Sequence, residues 1–482
     1  MNVDRSESKL EQKFRPFAKK MADEGIPPLI IDTFKLYYGK VLNGERGLIP
    51  SEEIAPVGKD DIPPLETLGQ FAHAGRRALK EAVIIKLNGG LGTSMGLSRA
   101  KSLLEVKDGY NFLDIIANQV LSLRKAHGAD IPLVLMNSFN TEEDSSAYLK
   151  RYPELDSGIP LSFLQHKFPK VLQEDLSPAE WPTEPDLEWN PPGHGDIYWA
   201  LSTSGILDKL LERGCKYAFI TNSDNLGGTM DVAALGYFAS SDFPFMMEIA
   251  EKTGADIKGG HIARLRRTGA LILREIAQCP EEEIGEFQDI KTYRYFNTNN
   301  LWLNLVCLQN ELEKTRNILN LPVIVNPKRL DPKEDSSPQV YQIETAMGSA
   351  ISVFEGAAAL QVPRRRFIPV KRCRDLLSLW SDCYVMTEDS QIISNPDRSL
   401  GAIEIVLDDK FYKRIDQLKK RFPYGAPSLV DCRSLTIEGD VYFGKGIVIK
   451  GDVRILNTSS GRVSIAGGTV INNDLLFDEN LP

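Results

Sequence analysis

Positive charge is scarce in this 482-residue chain: 57 lysines and arginines stand against 66 acidic residues, a formal charge of −9. Bulk nucleic-acid binding draws on a basic face, so that class is set aside. An anionic ligand must then be met by a local positive site and not by the field of the whole molecule. Cysteine is sparse as well. Cys215, Cys279, Cys307, Cys373, Cys383 and Cys432 form no C-x-x-C pair, and no nearby histidine completes a zinc set. They read as reduced thiols, mostly in the core. No run of 18 apolar residues occurs, and the opening Met1-Asn-Val-Asp-Arg-Ser-Glu-Ser is polar with no apolar signal core. A cytoplasmic protein without a membrane span is expected. No Ser-His-Asp or Cys-His set is visible either, which argues against nucleophilic side-chain catalysis.

What is present suits a globular protein: 42% hydrophobic and 26% charged residues, at a length that calls for two or three domains. Residues 1–75 read as a helical N-terminal region, with apolar residues at helical spacing over Lys9–Asp23 and Leu29–Val41. Over 76–384 short apolar runs alternate with helical patterns. Val83–Leu87, Leu133–Met136, Leu161–Phe163, Tyr217–Thr221 and Phe245–Ile249 read as strands; Asn111–Lys125, Asp196–Glu212 and Thr229–Phe238 read as helices. Such alternation predicts an α/β domain with a mostly parallel, Rossmann-like sheet that binds its ligands at the carboxyl ends of the strands. Residues 385–482 differ. Leu435, Val441, Ile447 and Val453 are spaced by six, as are Ile437, Phe443, Ile449 and Ile455, with Gly439 and Gly451 at turns. That period predicts a parallel β-helix; short antiparallel hairpins are the alternative. Asn457 to Arg462 interrupts the period and, with the polar finish at Asn472–Asp474, reads as a cap.

The chemistry begins at Lys86-Leu-Asn-Gly-Gly-Leu-Gly-Thr-Ser-Met-Gly96, which follows the apolar run Ala82–Ile85 and precedes Lys101-Ser102. Gly89, Gly90 and Gly92 put no side chain between backbone and ligand and permit φ > 0, so successive N–H groups can turn toward an anion. The Walker pattern fails, because Met95 and Ala100 stand where glycines are required. The dinucleotide fingerprint also fails at Met95.

Further along, Thr221-Asn-Ser-Asp224-Asn-Leu-Gly227 follows a strand, and an Asp there can hold Mg²⁺ with one oxygen while phosphates and water complete the shell. A turn or a helix cap is the competing reading. Pro191-Pro-Gly-His194-Gly-Asp196 opens a helix and places His194 between glycines. Asn297-Thr-Asn299-Asn offers amides able to donate and accept, as sugar hydroxyls require, and Glu275 can accept hydroxyl protons. The basic run Arg364–Arg366 leads through Phe367, Ile368 and Val370, read as a partly buried strand, to Lys371.

Taken in order, Leu-Asn-Gly-Gly-Leu-Gly-Thr, Pro-Pro-Gly-His-Gly-Asp, Asn-x-Asp-Asn-Leu-Gly, Phe-Asn-Thr-Asn-Asn-Leu-Trp and Arg-Phe-x-Pro-Val-Lys resemble the UTP–glucose-1-phosphate uridylyltransferase family, the eukaryotic-type UDP-glucose pyrophosphorylases. The resemblance runs from the glycine loop into the carboxyl-terminal repeat. It implies a GT-A-like nucleotidyltransferase domain with a Rossmann-like mixed central sheet, and a set of roles. Leu87, Asn88, Gly89 and Gly90 line the nucleotide, and Lys101 contacts the UTP phosphates. Gln165 and Gly193 read the uracil edge. His194 touches the phosphate that links nucleotide and sugar. Asn222 holds the sugar nucleotide and Asp224 holds Mg²⁺. Gly260, Glu275, Asn297 and Asn299 surround the glucose, and Lys371 neutralises the phosphates during transfer. Lys101 and Lys371 are thus the catalytic candidates.

The resemblance further implies UTP and glucose-1-phosphate as substrates, UDP-glucose and pyrophosphate as products, and possible homo-oligomers through the carboxyl-terminal domain. Two departures stand out: Arg372-Cys-Arg-Asp375 after the lysine, and Leu97-Ser-Arg-Ala100 in the loop. Within this reading a broader UDP-sugar or UDP-N-acetylhexosamine pyrophosphorylase is the alternative; outside it stand a dinucleotide-dependent dehydrogenase and a non-catalytic sugar-nucleotide sensor.

Overall fold

The computed structural model describes residues 8–478; residues 1–7, most of the polar opening, and 479–482 lie outside the described residues. Helix Lys9–Asp23 is capped by the Ser8 side chain, which accepts from the Glu11 N–H, and is followed by helix Pro28–Leu42. Their apolar stripes bury Phe14, Phe17, Met21, Ile30, Phe34 and Tyr38 in the same cluster as Val83, Ile85 and Val134 of the central sheet. The two helices therefore complete one face of that sheet.

The central sheet has ten strands. Ser162–Leu164, Leu133–Asn137, Ala82–Asn88 and Tyr217–Asn222 run parallel side by side. Tyr295–Asn304 then pairs antiparallel with Tyr217–Asn222 on one side and Phe245–Glu251 on the other, and Ala358–Gln361 returns parallel to Phe245–Glu251. The sheet is thus mixed, with one half parallel. The buried strands are near-continuous runs of Val, Ile, Leu and Met, as strands covered on both faces require.

Register decides what stands together. Asn222 lies opposite Leu87, Asn88 opposite Asn137, and Asn137 opposite Leu164, so four carboxyl ends finish level.

Several boundaries moved for local reasons. The expected helix Asp196–Glu212 is two helices, Ile197–Thr203 and Ile206–Glu212, broken at Gly205 with φ 71°. The helix expected from Thr229 starts at Val232, because Asp231 caps it by accepting from the N–H groups of Ala233 and Ala234. The strand expected around Phe367 and Val370 is a single turn at Arg364–Arg366 followed by one bridge, Asn225 to Pro369.

The carboxyl-terminal repeat is a parallel coil. Cys432–Glu438 stacks on Gly451–Asn457, Val441–Phe443 on Val463–Ile465, and Val448–Ile449 on Val470–Ile471. Both expected six-residue rows point inward and are buried. The break at Asn457–Arg462 is not a cap. Strands continue beyond it, and the Asn457 amide donates to the carbonyls of Asp440 and Gly461, closing a loop within the coil.

Candidate functional site

The glycine loop and the acidic loop meet at the carboxyl end of the parallel strands. Lys101 donates its backbone N–H to the Gly90 carbonyl, and its ammonium lies 2.6 Å from Asp224 Oδ2. The other carboxylate oxygen, Oδ1, is buried with no hydrogen-bond partner. Gly92 takes the left-handed conformation, φ 71°, with the stem of Lys101 against it; Gly89 and Gly90, expected to share that freedom, do not take positive φ. What Gly89 supplies is room. A Cβ there would sit 3.1 Å from the Gln165 side-chain amide. The Asn88 side chain turns inward, donating to Asn137 and Ser145 and accepting from Ser223, so it fastens neighbouring strands together. Leu87 and Asn222 are adjacent strand ends, and the Leu87 carbonyl accepts from the Ser223 N–H.

Gln165 follows strand Ser162–Leu164 and donates its backbone N–H to Asn137. Its neighbour His166 is clamped by Asp196, fully buried, which accepts from the His166 backbone N–H and pairs with its ring Nδ1 at 2.8 Å. One aspartate therefore ties the Gly193–Asp196 turn to the residue beside Gln165. Gly193 has φ 79°, and a Cβ on it would lie 2.3 Å from the Thr345 carbonyl oxygen, so only glycine fits this approach. His194 is half-buried and accepts the Met347 N–H at Nδ1, 2.9 Å away. Burial and then the nearby Lys371 charge pull its imidazole down to about 4. At neutral pH the ring is therefore uncharged, with its proton on Nε2, a donor.

A second group of residues gathers beside this one. Gly260 abuts Glu275, whose carboxylate would be 2.4 Å from a Cβ on the glycine. Burial raises the Glu275 carboxyl above its ordinary range, opposed by Lys371 and Lys252. The asparagine cluster sits in the ten-residue strand Tyr295–Asn304. Pairing there slips between Glu248 and Ile249, so Thr298 and Asn299 bulge out and Asn299 adopts φ 57°. The bulge brings Asn297 and Asn299 side chain to side chain at 2.7 Å, and the Asn297 N–H donates to the Gly260 carbonyl.

Lys371 is exposed, one residue beyond Val370, whose N–H donates to the Asp224 carbonyl at 3.1 Å. Lys371 lies close enough to both groups for its charge to bear on His194 and on Glu275. The competing role for Asp224, a helix cap, belongs to Asp231. Sequence reasoning missed the supports: Thr345, Met347 and the Asp196–His166 clamp. None carries a local signal except Asp196, which ends the Gly-His-Gly-Asp motif.

A glycine loop and an acidic loop facing one another at the carboxyl end of parallel strands, with a cluster of asparagine amides alongside, are the marks of a nucleotide-binding α/β transferase. A family model described as UTP--glucose-1-phosphate uridylyltransferase matches residues 31–450. The UTP--glucose-1-phosphate uridylyltransferase of Solanum tuberosum is 38% identical over 427 residues, covering 88% of this chain and 85% of that protein. The one from Saccharomyces cerevisiae is 36% identical over 448 residues, covering 92% and 87%. Among solved structures, a mutant UDP-glucose pyrophosphorylase from Leishmania major in complex with UDP-glucose superposes with a TM-score of 0.90 at 42% identity, covering 98% of this chain and all of that one. The UDP-glucose phosphorylase of Trypanosoma brucei gives 0.88 at 40% identity, covering 97% and 100%. The chain belongs to the UTP–glucose-1-phosphate uridylyltransferase family.

Proposed function

We propose that the chain makes UDP-glucose and pyrophosphate from UTP and glucose-1-phosphate, by attack of the sugar phosphate on the UTP α-phosphorus. The observation that carries this reading is the Lys101–Asp224 pair, which joins the glycine loop to the acidic loop in a member of this family. A phosphate oxygen of glucose-1-phosphate forms the new bond to the α-phosphorus, the bond from that phosphorus to the α,β-bridging oxygen breaks, and pyrophosphate leaves with the electron pair. The monoester is ionised at neutral pH, so no strong base is needed. Alignment and charge neutralisation do the work.

Lys101 is the group for the UTP phosphates, which would replace Asp224 as its partner. Lys371 faces the transferring phosphate. The Nε2–H of His194 donates to the phosphate between nucleotide and sugar. Gln165 and the Gly193 backbone meet the uracil edge, with Leu87, Asn88, Gly89 and Gly90 beneath the nucleotide. Asn222, Gly260, Glu275, Asn297 and Asn299 line the sugar.

Asp224 fits a divalent ion, since its Oδ1 is buried without a partner. No cluster of three His, Cys, Asp or Glu side chains able to hold a metal forms among the described residues. One carboxylate plus substrate phosphates suits Mg²⁺. Bound there, Mg²⁺ supplies positive charge to the phosphate oxygens. Among the described residues no helix is long and apolar enough to cross a membrane. We place the reaction in the cytoplasm, where free thiols such as these six persist. Three domains, 1–75, 76–384 and 385–482, are our division of the chain, and assembly into homo-oligomers would run through the last.

The test is pyrophosphate release across four nucleoside triphosphates and several sugar phosphates. A site that pairs the uracil edge leaves buried groups unpaired against cytosine and rejects purines by size. UTP should therefore exceed CTP, ATP and GTP by about two orders of magnitude in kcat/KM. Comparable use of ATP would sink the assignment. Equal turnover of N-acetylglucosamine-1-phosphate would broaden the sugar.

A further inference from the structure

Beneath the site lies a buried polar hub whose centre, Glu248, is in none of the motifs, although its partners Arg366, Trp302 and Asn300 each belong to one. Glu248, on strand Phe245–Glu251, is fully buried. Its two oxygens accept four hydrogen bonds: Arg366 through two nitrogens at 2.6 and 2.8 Å, Trp302 Nε1 at 3.0 Å and Asn300 Nδ2 at 3.0 Å. The Glu248 carbonyl accepts the Thr298 hydroxyl at 2.7 Å, which pins the bulge that presents Asn297 and Asn299.

Arg366 reaches the other loops. Its guanidinium donates to the Thr229 carbonyl at 2.8 Å, and its own carbonyl accepts from the amides of Asn225 and Asn300. Asn225 Oδ1 accepts the Ile368 N–H, and two residues on the Val370 N–H meets the Asp224 carbonyl. The loops pack too closely for side chains: a Cβ on Gly227 would be 2.5 Å from the Arg365 carbonyl. The Lys86 ammonium adds a bond to the Gly228 carbonyl.

A buried ion pair is a poor device for stability, because apolar residues of similar volume commonly do as well. A bidentate arginine–carboxylate pair is a good device for orientation. We propose that the Glu248–Arg366 pair consists of positioning residues for the transfer. It fixes the segment that ends in Lys371 against the Asp224 loop and holds the asparagine bulge in the same frame. The proposal rests on the reading of Lys371 and Asp224 given above.

The test is Arg366→Lys, which keeps the charge but cannot bridge both oxygens and Thr229 at once. In folded protein, kcat should fall about tenfold or more, while UTP affinity by calorimetry stays within about twofold, since a misplaced lysine costs the transition state more than the ground state. In a Lys371→Ala background the same change should cost clearly less, the remainder being the share that runs through the asparagine bulge. A wild-type kcat for Arg366→Lys overturns the proposal, and so does an equal loss in both backgrounds, which would mean that Arg366 does not act through Lys371. If Arg366→Lys does not fold, the pair Glu248→Leu with Arg366→Met removes both charges together and is read by the same two outcomes. Wild-type turnover in Lys371→Ala alone would instead strike the assignment of Lys371, separately from the positioning role.

Discussion

The carboxyl-terminal coil and the carboxyl end of the central sheet are built on opposite principles. In the coil, the side chains that hold the structure are apolar, recur every six residues and touch the next turn of the same repeat. Its charged residues lie outside, as in the exposed pairs Arg433–Asp452 and Arg454–Glu438, each worth little. At the sheet end, polar groups far apart in sequence are buried together: Asp196 with His166, Glu248 with Arg366, Asn88 with Asn137 and Ser145. The coil tolerates change in proportion to the apolar volume removed. The sheet end holds an arrangement, so a small shift should cost function while stability hardly moves.

The sharpest break in that contrast is expected at Asp224. Asp224→Asn keeps the shape of the side chain and loses the charge opposite Lys101. No cap is lost with it, because Asp231 caps the following helix. Turnover should fall by more than about a hundredfold, at or above what one preorganised group contributes, with the melting temperature close to that of the parent. An Mg²⁺ titration of activity beside a thermal melt checks both halves. Unchanged Mg²⁺ dependence would return Asp224 to a merely structural role.

Lys371→Ala comes next. The side chain is exposed and touches little apart from the Phe367 ring, with its ammonium 5.9 Å from the ring centre. Its removal should cost roughly 3 kcal/mol in the transition state, on the order of a hundredfold in turnover, and far less in UTP binding. Steady-state kinetics with a separate UTP binding isotherm measures the split. Near-normal turnover in the purified variant rules the role out.

The coil should answer in stability instead. Ile449 is fully buried on the inner face. Ile449→Ala should destabilise by about 2–4 kcal/mol, the usual cost of emptying such a site, while turnover per folded molecule stays near the parent value. Denaturant unfolding with an activity assay on the folded fraction tests it. A large loss of turnover without a loss of stability would mean that the coil shapes the site directly. One such route exists through the helical segment before the coil: the Arg414 side chain lies against Gly96 of the glycine loop, 3.1 Å from where its Cβ would be.

How far the sequence could be read follows from the same contrast. Six-residue spacing is a local pattern, so the inward rows of the coil were visible position by position. So were the strand ends that carry Leu87, Gln165 and Asn222, since each apolar run is followed by its own loop. The loop at Asn457 was misjudged because a break in a period looks alike whether the repeat ends or resumes. The antiparallel strand through Asn297 was hidden by its bulge, which interrupts the alternation that marks a strand. Thr345, Met347 and Glu248 were out of reach for a different reason, and so was the partner of Arg366, itself the first residue of the Arg-Phe-x-Pro-Val-Lys motif. Each acts on a residue at least 118 positions away, as with Arg366 on Glu248, and nothing in a single sequence records that distance.

The smallest effect is expected from acid. All five histidines precede the coil, so a proton-linked loss of structure should begin at the sheet end. His194 is held down to about 4 by burial and by Lys371, and His261, stacked on Tyr293 and beside Lys252 and Arg274, is lowered as well, chiefly by burial. The unfolded chain takes up these protons near 6.5. The folded chain refuses them, so their contribution to stability is complete above about pH 6.5 and is lost as pH falls toward about 4. Between pH 8 and 7 His194 should change neither charge nor its bond from the Met347 N–H, and this group should give turnover no inflection there. Histidine-labelled NMR across pH 4–8 reads the ring directly, and proteolysis at pH 5 shows which region opens first. A His194 ring that titrates near 6.5, or a coil cleaved before the sheet end, would erase the distinction drawn between the two regions.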